Sequence, residues 1–328
     1  MEILIFGAGA IGAFYGSRIA LNQNVNVSVV CRSNYRTVKA QGFSVKSPQF
    51  GEYRWTPSRT FANPSDARKA GVSWDFVVVS TKALPDVNDD SELLEGLIAE
   101  QTTIVLVQNG IGIEEPYARR FPGAVILSAV TITSAAQPEH GLIQHHRFTR
   151  INSGAYPEDY EKASSQNHVF VDLITKAGIE DASAYPAQKL QLLRWHKVAV
   201  NAAFNPSSVL SHETDNPSMA QDADMYEHMK GVIEEVLCVA QEFTGSTLPR
   251  DFPTAVQILD NAKKSPQGSY PSMLADWRGR KKMELEVILN NPIKMARSKG
   301  LAMPRLQTMY ALLKRAQATR EQSIKSNL

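Results

Sequence analysis

The chain of 328 residues predicts an α/β fold: a doubly wound parallel-sheet domain over residues 1–186, followed by an all-α domain over residues 187–328. Three observations carry this. An apolar run, Ile3-Leu4-Ile5-Phe6, leads straight into Gly7-Ala8-Gly9-Ala10-Ile11-Gly12 and then a small-residue apolar segment from Ala13 to Leu21. Strand-like and helix-like segments alternate as far as Tyr185-Pro186. Beyond that point only helical periodicity remains.

The first stretch reads as buried strand, tight turn and helix, the context that gives a Gly-x-Gly-x-x-Gly pattern its meaning. Gly7 makes the turn, Gly9 lets backbone approach a pyrophosphate, and Gly12 lets helix and strand pack closely. The helix start offers unpaired N–H groups and a positive dipole end to phosphates. The N-terminal domain is therefore of the Rossmann type. Val25 to Cys31 reads as the second parallel strand, ended by Arg32. An NAD enzyme places a carboxylate at this point to bind the ribose 2′-hydroxyl. Here Arg32 stands, with Ser33, Asn34 and Arg36 close by. An arginine pairs with a 2′-phosphate that a carboxylate would repel, so the cofactor reads as NADP. The alternative is a solvated arginine at a strand end.

Residues 43–58 read as two short strands. Trp74 to Ser80 is the next buried strand, followed at once by Thr81-Lys82-Ala83, so that Lys82 faces the cofactor crevice. The acidic segment from Asp86 to Glu100 is partly helical. Thr103 to Val107 is a strand leading into the loop Gln108-Asn109-Gly110-Ile111-Gly112, and Glu114 to Arg120 is a helix. The run from Ala124 to Ala136 is a strand, and His140 to Ala155 holds further strands and turns. Expected helices follow at about 187–204, 217–243, 251–263, 284–298 and 304–320. Asp215 or Asn216 with Pro217 starts the second, and Gly245 ends it.

Composition sets bounds. Hydrophobic residues at 43% and charged residues at 21% are those of a soluble globular protein, and a net charge of +2 gives no field to attract nucleic acid or an anionic membrane. Two distant cysteines, Cys31 and Cys238, suit a reducing compartment and form no disulfide framework. The N-terminal apolar run has no basic flank and reads as a strand, not a signal peptide, and no run reaches membrane-spanning length. The tail Ser326-Asn327-Leu328 resembles a peroxisomal signal too loosely to weigh. A cytoplasmic location is expected. His145 and His146 are adjacent on a strand, so their side chains diverge and form no simple metal pair; no metal is expected.

The chemistry lies in the helical half. In the run from Arg194 to Pro206, the polar residues Lys197, Asn201 and Asn205 recur every four and form one stripe on an otherwise apolar helix. A buried cation and two amides are costly unless they bind something, and this set fits a carboxylate or a developing oxyanion. The alternative is a wet polar face. His196 turns away from the stripe and reads as packing. Ser272, Asp276, Arg280 and Glu284 repeat the spacing, although Gly279 is placed to break it.

Taken in order, Gly7 to Gly12, Arg32, Thr81-Lys82-Ala83, Gln108 to Gly112, His196 to Pro206, and Ser272 to Asp276 with Glu284 resemble the ketopantoate reductase (2-dehydropantoate 2-reductase) family. That family belongs to the two-domain 6-phosphogluconate-dehydrogenase-like class. The resemblance implies NADPH-dependent reduction of ketopantoate to pantoate, a step of pantothenate and coenzyme A biosynthesis, by a monomer or homodimer. It implies that Lys197 donates the proton to the keto oxygen, and that Glu284 engages this lysine and the substrate hydroxyl. Asn109, Asn201, Asn205 and Ser272 would bind substrate, with Asn109 also near the nicotinamide. Gly7, Ala8, Gly9, Ala10, Ile11, Gly12, Arg32, Lys82 and Ala136 would hold NADP. Substrate is expected to bind between the domains after the cofactor.

The chain departs from the pattern in three places. His145-His146-Arg147-Phe148-Thr149-Arg150 is bulky and basic where the family is glycine-rich, a further substrate asparagine falls among Asp215 and Asn216, and the linker from Ala155 to Asn167 looks long. Two alternatives stand beside the main reading: a reductase of another 2-keto acid or an imine, and a non-catalytic NADP-binding paralogue.

Overall fold

The computed structural model describes residues 1–326; Asn327 and Leu328, and with them most of the C-terminal tripeptide, lie outside the described residues. Contacts divide the chain into two compact units. One comprises residues 1–82, 89–108 and 113–190; the other takes residues 191 onward together with 83–88 and 109–112.

The first unit is built on a single ten-stranded sheet. Strands β1 (Glu2–Phe6), β2 (Asn26–Val30), β5 (Thr60–Phe61), β6 (Phe76–Val79), β7 (Thr103–Leu106) and β8 (Val125–Glu139) pair in parallel in the order β5-β2-β1-β6-β7-β8. The two runs of the sheet diverge at β1, so its carboxyl end is the switch point where α/β sheets bind ligands. Strand β9 (Leu142–Tyr156) turns back antiparallel to β8. The hairpin β3 (Phe43–Ser47) and β4 (Gly51–Trp55) extends the sheet beyond it, and β10 (Ala182–Ala184) pairs with β9. Ile3, Leu4, Ile5 and Phe6 are all buried, as the central strand of a sheet covered on both faces requires.

Helix α1 (Ala10–Ile19) packs on this sheet through small residues. A Cβ at Gly16 would stand 3.0 Å from the Ile5 side chain and 3.1 Å from Trp55. Tyr15 of α1 reaches the β8–β9 hairpin, its hydroxyl 2.5 Å from Thr133 Oγ1 and 3.1 Å from the carbonyls of Thr149 and Arg150. The basic segment 145–150 lies within β9. His145 is buried, stacked on Phe14 at 4.5 Å and hydrogen-bonded to Ser47, whereas His146 is exposed, so the two rings do diverge. Short helices α2 (Tyr35–Gln41), α3 (Pro64–Lys69) and α4 (Glu115–Arg120) connect strands.

The stretch read as a long linker is not one. Helix α5 (Glu161–Lys176) begins almost at once after β9 and buries Phe170, Leu173 and Ile174. Lys, Ser, Gln and His fill the positions around its buried residues and mask the helical period.

The second unit is helical. Helix α6 (Ala187–Leu210) runs past the expected end because Pro206 is tolerated inside it. The helix expected over 217–243 is two, α7 (Asn216–Gln221) and α8 (Ala223–Thr244). Asp222 is extended and its carboxylate accepts the Met225 N–H, so it starts a new helix; Asp215 caps α7 in the same way through Ser218. Helices α9 (Ala255–Lys263), α10 (Ser272–Arg278), α11 (Asn291–Ser298) and α12 (Pro304–Ser326) follow. The stripe Ser272, Asp276, Arg280, Glu284 is interrupted, because α10 ends at Arg278 and Arg280 adopts φ +51°. One π-helical turn, Glu286–Asn290, precedes α11. No helix among the described residues is long and apolar enough to cross a membrane.

Candidate active site

In the first unit the glycine turn has the form its spacing predicts. Gly7 sits at φ +101°. A Cβ at Gly12 would lie 2.2 Å from Ser80 Oγ and 2.5 Å from the Gly7 carbonyl, so only glycine fits under β6. Gly9 differs: nothing lies within 4 Å of a Cβ there, which leaves its backbone open to a ligand. Gly9 also precedes α1, whose first turn carries no acidic residue and whose leading N–H groups, of Ala10, Ile11 and Gly12, lack intrahelical acceptors. This open cradle fits a pyrophosphate. Arg32, just past β2, and Ala136, in β8, are exposed, as is Lys82 past β6. Asn34 fastens this corner, its amide donating to the Ala8 carbonyl at 2.8 Å and to Gln137 at 3.3 Å. Sequence places Asn34 near Arg32; the structure gives it the task of holding the glycine turn to the end of β2. The residues present therefore fit a dinucleotide.

In the second unit, α6 carries Lys197, Asn201 and Asn205 on one face. Lys197 donates to Asn109 Oδ1 at 2.9 Å, and the other end of that amide, Nδ2, donates to Glu284 Oε2 at 3.3 Å. Glu284 is buried and also accepts the Ala83 N–H at 3.2 Å. Asn109 therefore lies between the cation and the carboxylate. Burial and then the neighbouring Arg194 guanidinium push the Lys197 ammonium down to about 7, against the pull of Glu284. Among the described residues the amide of Asn201 has no hydrogen-bond partner, so it stays available to a ligand.

Asn205 and Ser272 come together, but largely for the fold: Asn205 Oδ1 accepts from the Met273 N–H at 2.9 Å and from Ser272 Oγ at 3.4 Å, fixing the start of α10. Asp215, near the remaining family asparagine, is spent on the N–H groups of Ser218 and Gly268. His196 is packing, as its direction implied. Its Nε2 lies 2.7 Å from the Pro253 carbonyl and its ring meets Phe252 edge-on, with burial holding the imidazole below its ordinary range.

Two groups carry no sequence signal of their own. Arg194 is buried one helical turn before Lys197 and donates to the Gly110 carbonyl at 3.0 Å. In the first unit Gln108, Thr81, Asp90 and Tyr117 form a hydrogen-bonded chain.

The sequence model described as Ketopantoate reductase PanE/ApbA matches residues 3–158, and that described as Ketopantoate reductase PanE/ApbA C terminal matches residues 189–317. A 2-dehydropantoate 2-reductase of Nostoc is 25% identical over 94% of this chain and 93% of its own length. The crystal structure of 2-dehydropantoate 2-reductase from Methylococcus capsulatus is 31% identical, covers 98% of both chains and superposes with a TM-score of 0.85. A ternary structure of D-mandelate dehydrogenase with NADH and anilino(oxo)acetate shares the fold at a TM-score of 0.82, with 17% identity over 98% of this chain and 99% of that one.

Proposed function

The chain belongs to the ketopantoate reductase PanE/ApbA family, and on that premise we propose that it reduces ketopantoate to pantoate with NADPH. The observation that carries this reading is Lys197: a half-buried lysine whose ammonium is pushed to about 7, tied through Asn109 to a buried carboxylate. Such a group suits proton donation near neutral pH, because enough of it is protonated and the proton leaves readily.

Bound NADPH supplies the hydride to the 2-keto carbon. The backbone of Gly7, Ala8 and Gly9 and the first turn of α1 would hold the pyrophosphate, and Arg32, with Lys82, would pair with the 2′-phosphate. As the keto oxygen gains charge, Lys197 stabilises it and transfers a proton to it, leaving a neutral amine that regains its proton from solvent. Asn109 orients the Lys197 ammonium from one side, and Glu284 keeps the Asn109 amide in a single flip state. Asn201 offers its amide to the substrate, and the Ser272 hydroxyl, on the same unit, lies 3.4 Å from Asn205 Oδ1.

One observation favours a second reading. The Asn205 oxygen is occupied by α10, so the substrate contact this position implies is reduced to its NH2 group. A lone donor there reads the carboxylate that all 2-keto acids share, so the second reading is a reductase of a 2-keto acid other than ketopantoate. The test is NADPH oxidation by the purified protein with ketopantoate, an aromatic 2-keto acid, a branched aliphatic 2-keto acid and a cyclic imine, with the product identified in each case. Ketopantoate giving the highest kcat/KM supports the main reading. A preference of tenfold or more for another acid replaces it with the second.

A further inference from the structure

The loop 109–112 is held against the helices of the second unit at three points. Arg194 donates to the Gly110 carbonyl at 3.0 Å. Ile111 donates its N–H to the Val287 carbonyl at 3.0 Å, and Asn291 Nδ2 donates to the Ile111 carbonyl at 2.9 Å. Gly110, at φ +97°, lies so close that a Cβ would stand 2.4 Å from Val287 Cβ.

The Val287 carbonyl is open for a specific reason. It lies in the π-helical turn Glu286–Asn290, where the Asn291 N–H goes to the Glu286 carbonyl five residues back. The same step takes Val287 to Pro292, which has no N–H. The turn thus leaves one carbonyl without a helical donor, and Ile111 fills it. Arg194 provides the other post, one helical turn from Lys197 and buried, so its donor is held in place by packing.

We propose that Arg194 is a positioning residue for the reaction: with the Val287 carbonyl freed by Pro292, it pins the loop so that the Asn109 amide stays between Lys197 and Glu284. The proposal rests on the reading of Lys197 as proton donor. Asn109 is polar at both ends, and its hydrogen bonds to Lys197 and Glu284 survive only if the loop holds its height along α6 to within a few tenths of an ångström. Without the clamp, the loop swings and the ammonium loses its fixed direction.

The test compares Arg194→Met, Arg194→Lys and Pro292→Ala with the wild-type holoenzyme. Arg194→Met keeps the length of an unbranched chain and removes the donor; Arg194→Lys keeps a donor and the charge; Pro292→Ala gives the Val287 carbonyl a competing helical N–H. Hydrogen exchange of the peptide bearing Ile111 is read beside kcat, KM and NADPH affinity. The expected result is at least tenfold faster exchange at Ile111 in Arg194→Met and Pro292→Ala, with kcat down tenfold or more in Arg194→Met and substantially restored in Arg194→Lys. NADPH affinity stays within twofold, since the glycine turn and Arg32 are untouched. Should Arg194→Met fail to fold, Pro292→Ala decides by exchange alone. Wild-type exchange at Ile111 in folded variants overturns the clamp whether or not a keto acid is turned over. Faster exchange with unchanged kcat overturns the positioning role. If the wild type reduces no keto acid, the functional reading fails, while the exchange result still judges the clamp.

Discussion

Gly9 and Gly12 are three residues apart in one motif, and the structure assigns them opposite consequences on substitution. At Gly12, an added methyl would meet Ser80 Oγ at 2.2 Å, the Gly7 carbonyl at 2.5 Å and Ile5 Cγ2 at 2.9 Å. Ser80 could rotate aside, but its hydroxyl now donates to that same carbonyl at 2.7 Å. Losing this bond costs about 0.5–1.5 kcal/mol. The carbonyl is backbone and Ile5 is locked in the central strand, so α1 must also lift from the sheet, an overpacking cost of about 1–3 kcal/mol. Gly12→Ala should therefore lose about 1.5–4.5 kcal/mol of stability. Gly9→Ala meets nothing within 4 Å and keeps an ordinary φ of −79°, so its stability should fall by no more than about 1 kcal/mol, the cost of alanine as the N-cap of α1. Its methyl instead stands where the pyrophosphate must approach. Losing one charge-assisted hydrogen bond of about 1.5–3 kcal/mol weakens NADPH about ten- to hundredfold. Urea unfolding and calorimetric NADPH titration of both variants check this. Wild-type NADPH affinity in Gly9→Ala, or equal stability of the two variants, would refute the assignment of the cradle.

Arg32→Ala should weaken NADPH by about 1–3 kcal/mol and leave NADH nearly unchanged, as read by titration of each cofactor; equal losses would remove Arg32 from the phosphate site. The pH dependence follows from Lys197 at about 7. Keto-acid reduction needs the ammonium, so kcat should fall as pH rises through that value, and alcohol oxidation should rise over the same range. Glu284 raises the Lys197 pKa, so Glu284→Gln should move the falling limb of reduction to lower pH; an unmoved limb would disconnect the two groups.

Much of this was legible because it depends on local rules. The glycine spacing after four apolar residues gave the turn, and the four-residue recurrence of Lys197, Asn201 and Asn205 put them on one face of α6. Breaks depended on finer chemistry: Asp222 restarts a helix inside a continuous periodic run because its side chain caps it, and α5 was missed because its polar surface nearly balances its buried stripe. Arg194 and the Asn109 relay were beyond sequence reading, since residues far apart in the chain meet only through tertiary packing. The π turn is likewise silent in sequence, although Pro292 marks where a helical donor is missing.

In the proposed reaction Lys197 is the group that gives its proton to the keto oxygen. The direct measurement is the single-turnover rate of NADPH oxidation by ketopantoate, in the wild type and in Lys197→Ala, at saturating cofactor and with circular dichroism confirming the fold. Loss of a positioned acid predicts a rate lower by about 10²–10⁴ in the variant, with NADPH affinity retained. A folded Lys197→Ala protein that oxidises NADPH at the wild-type rate would contradict the proposed chemistry at its centre.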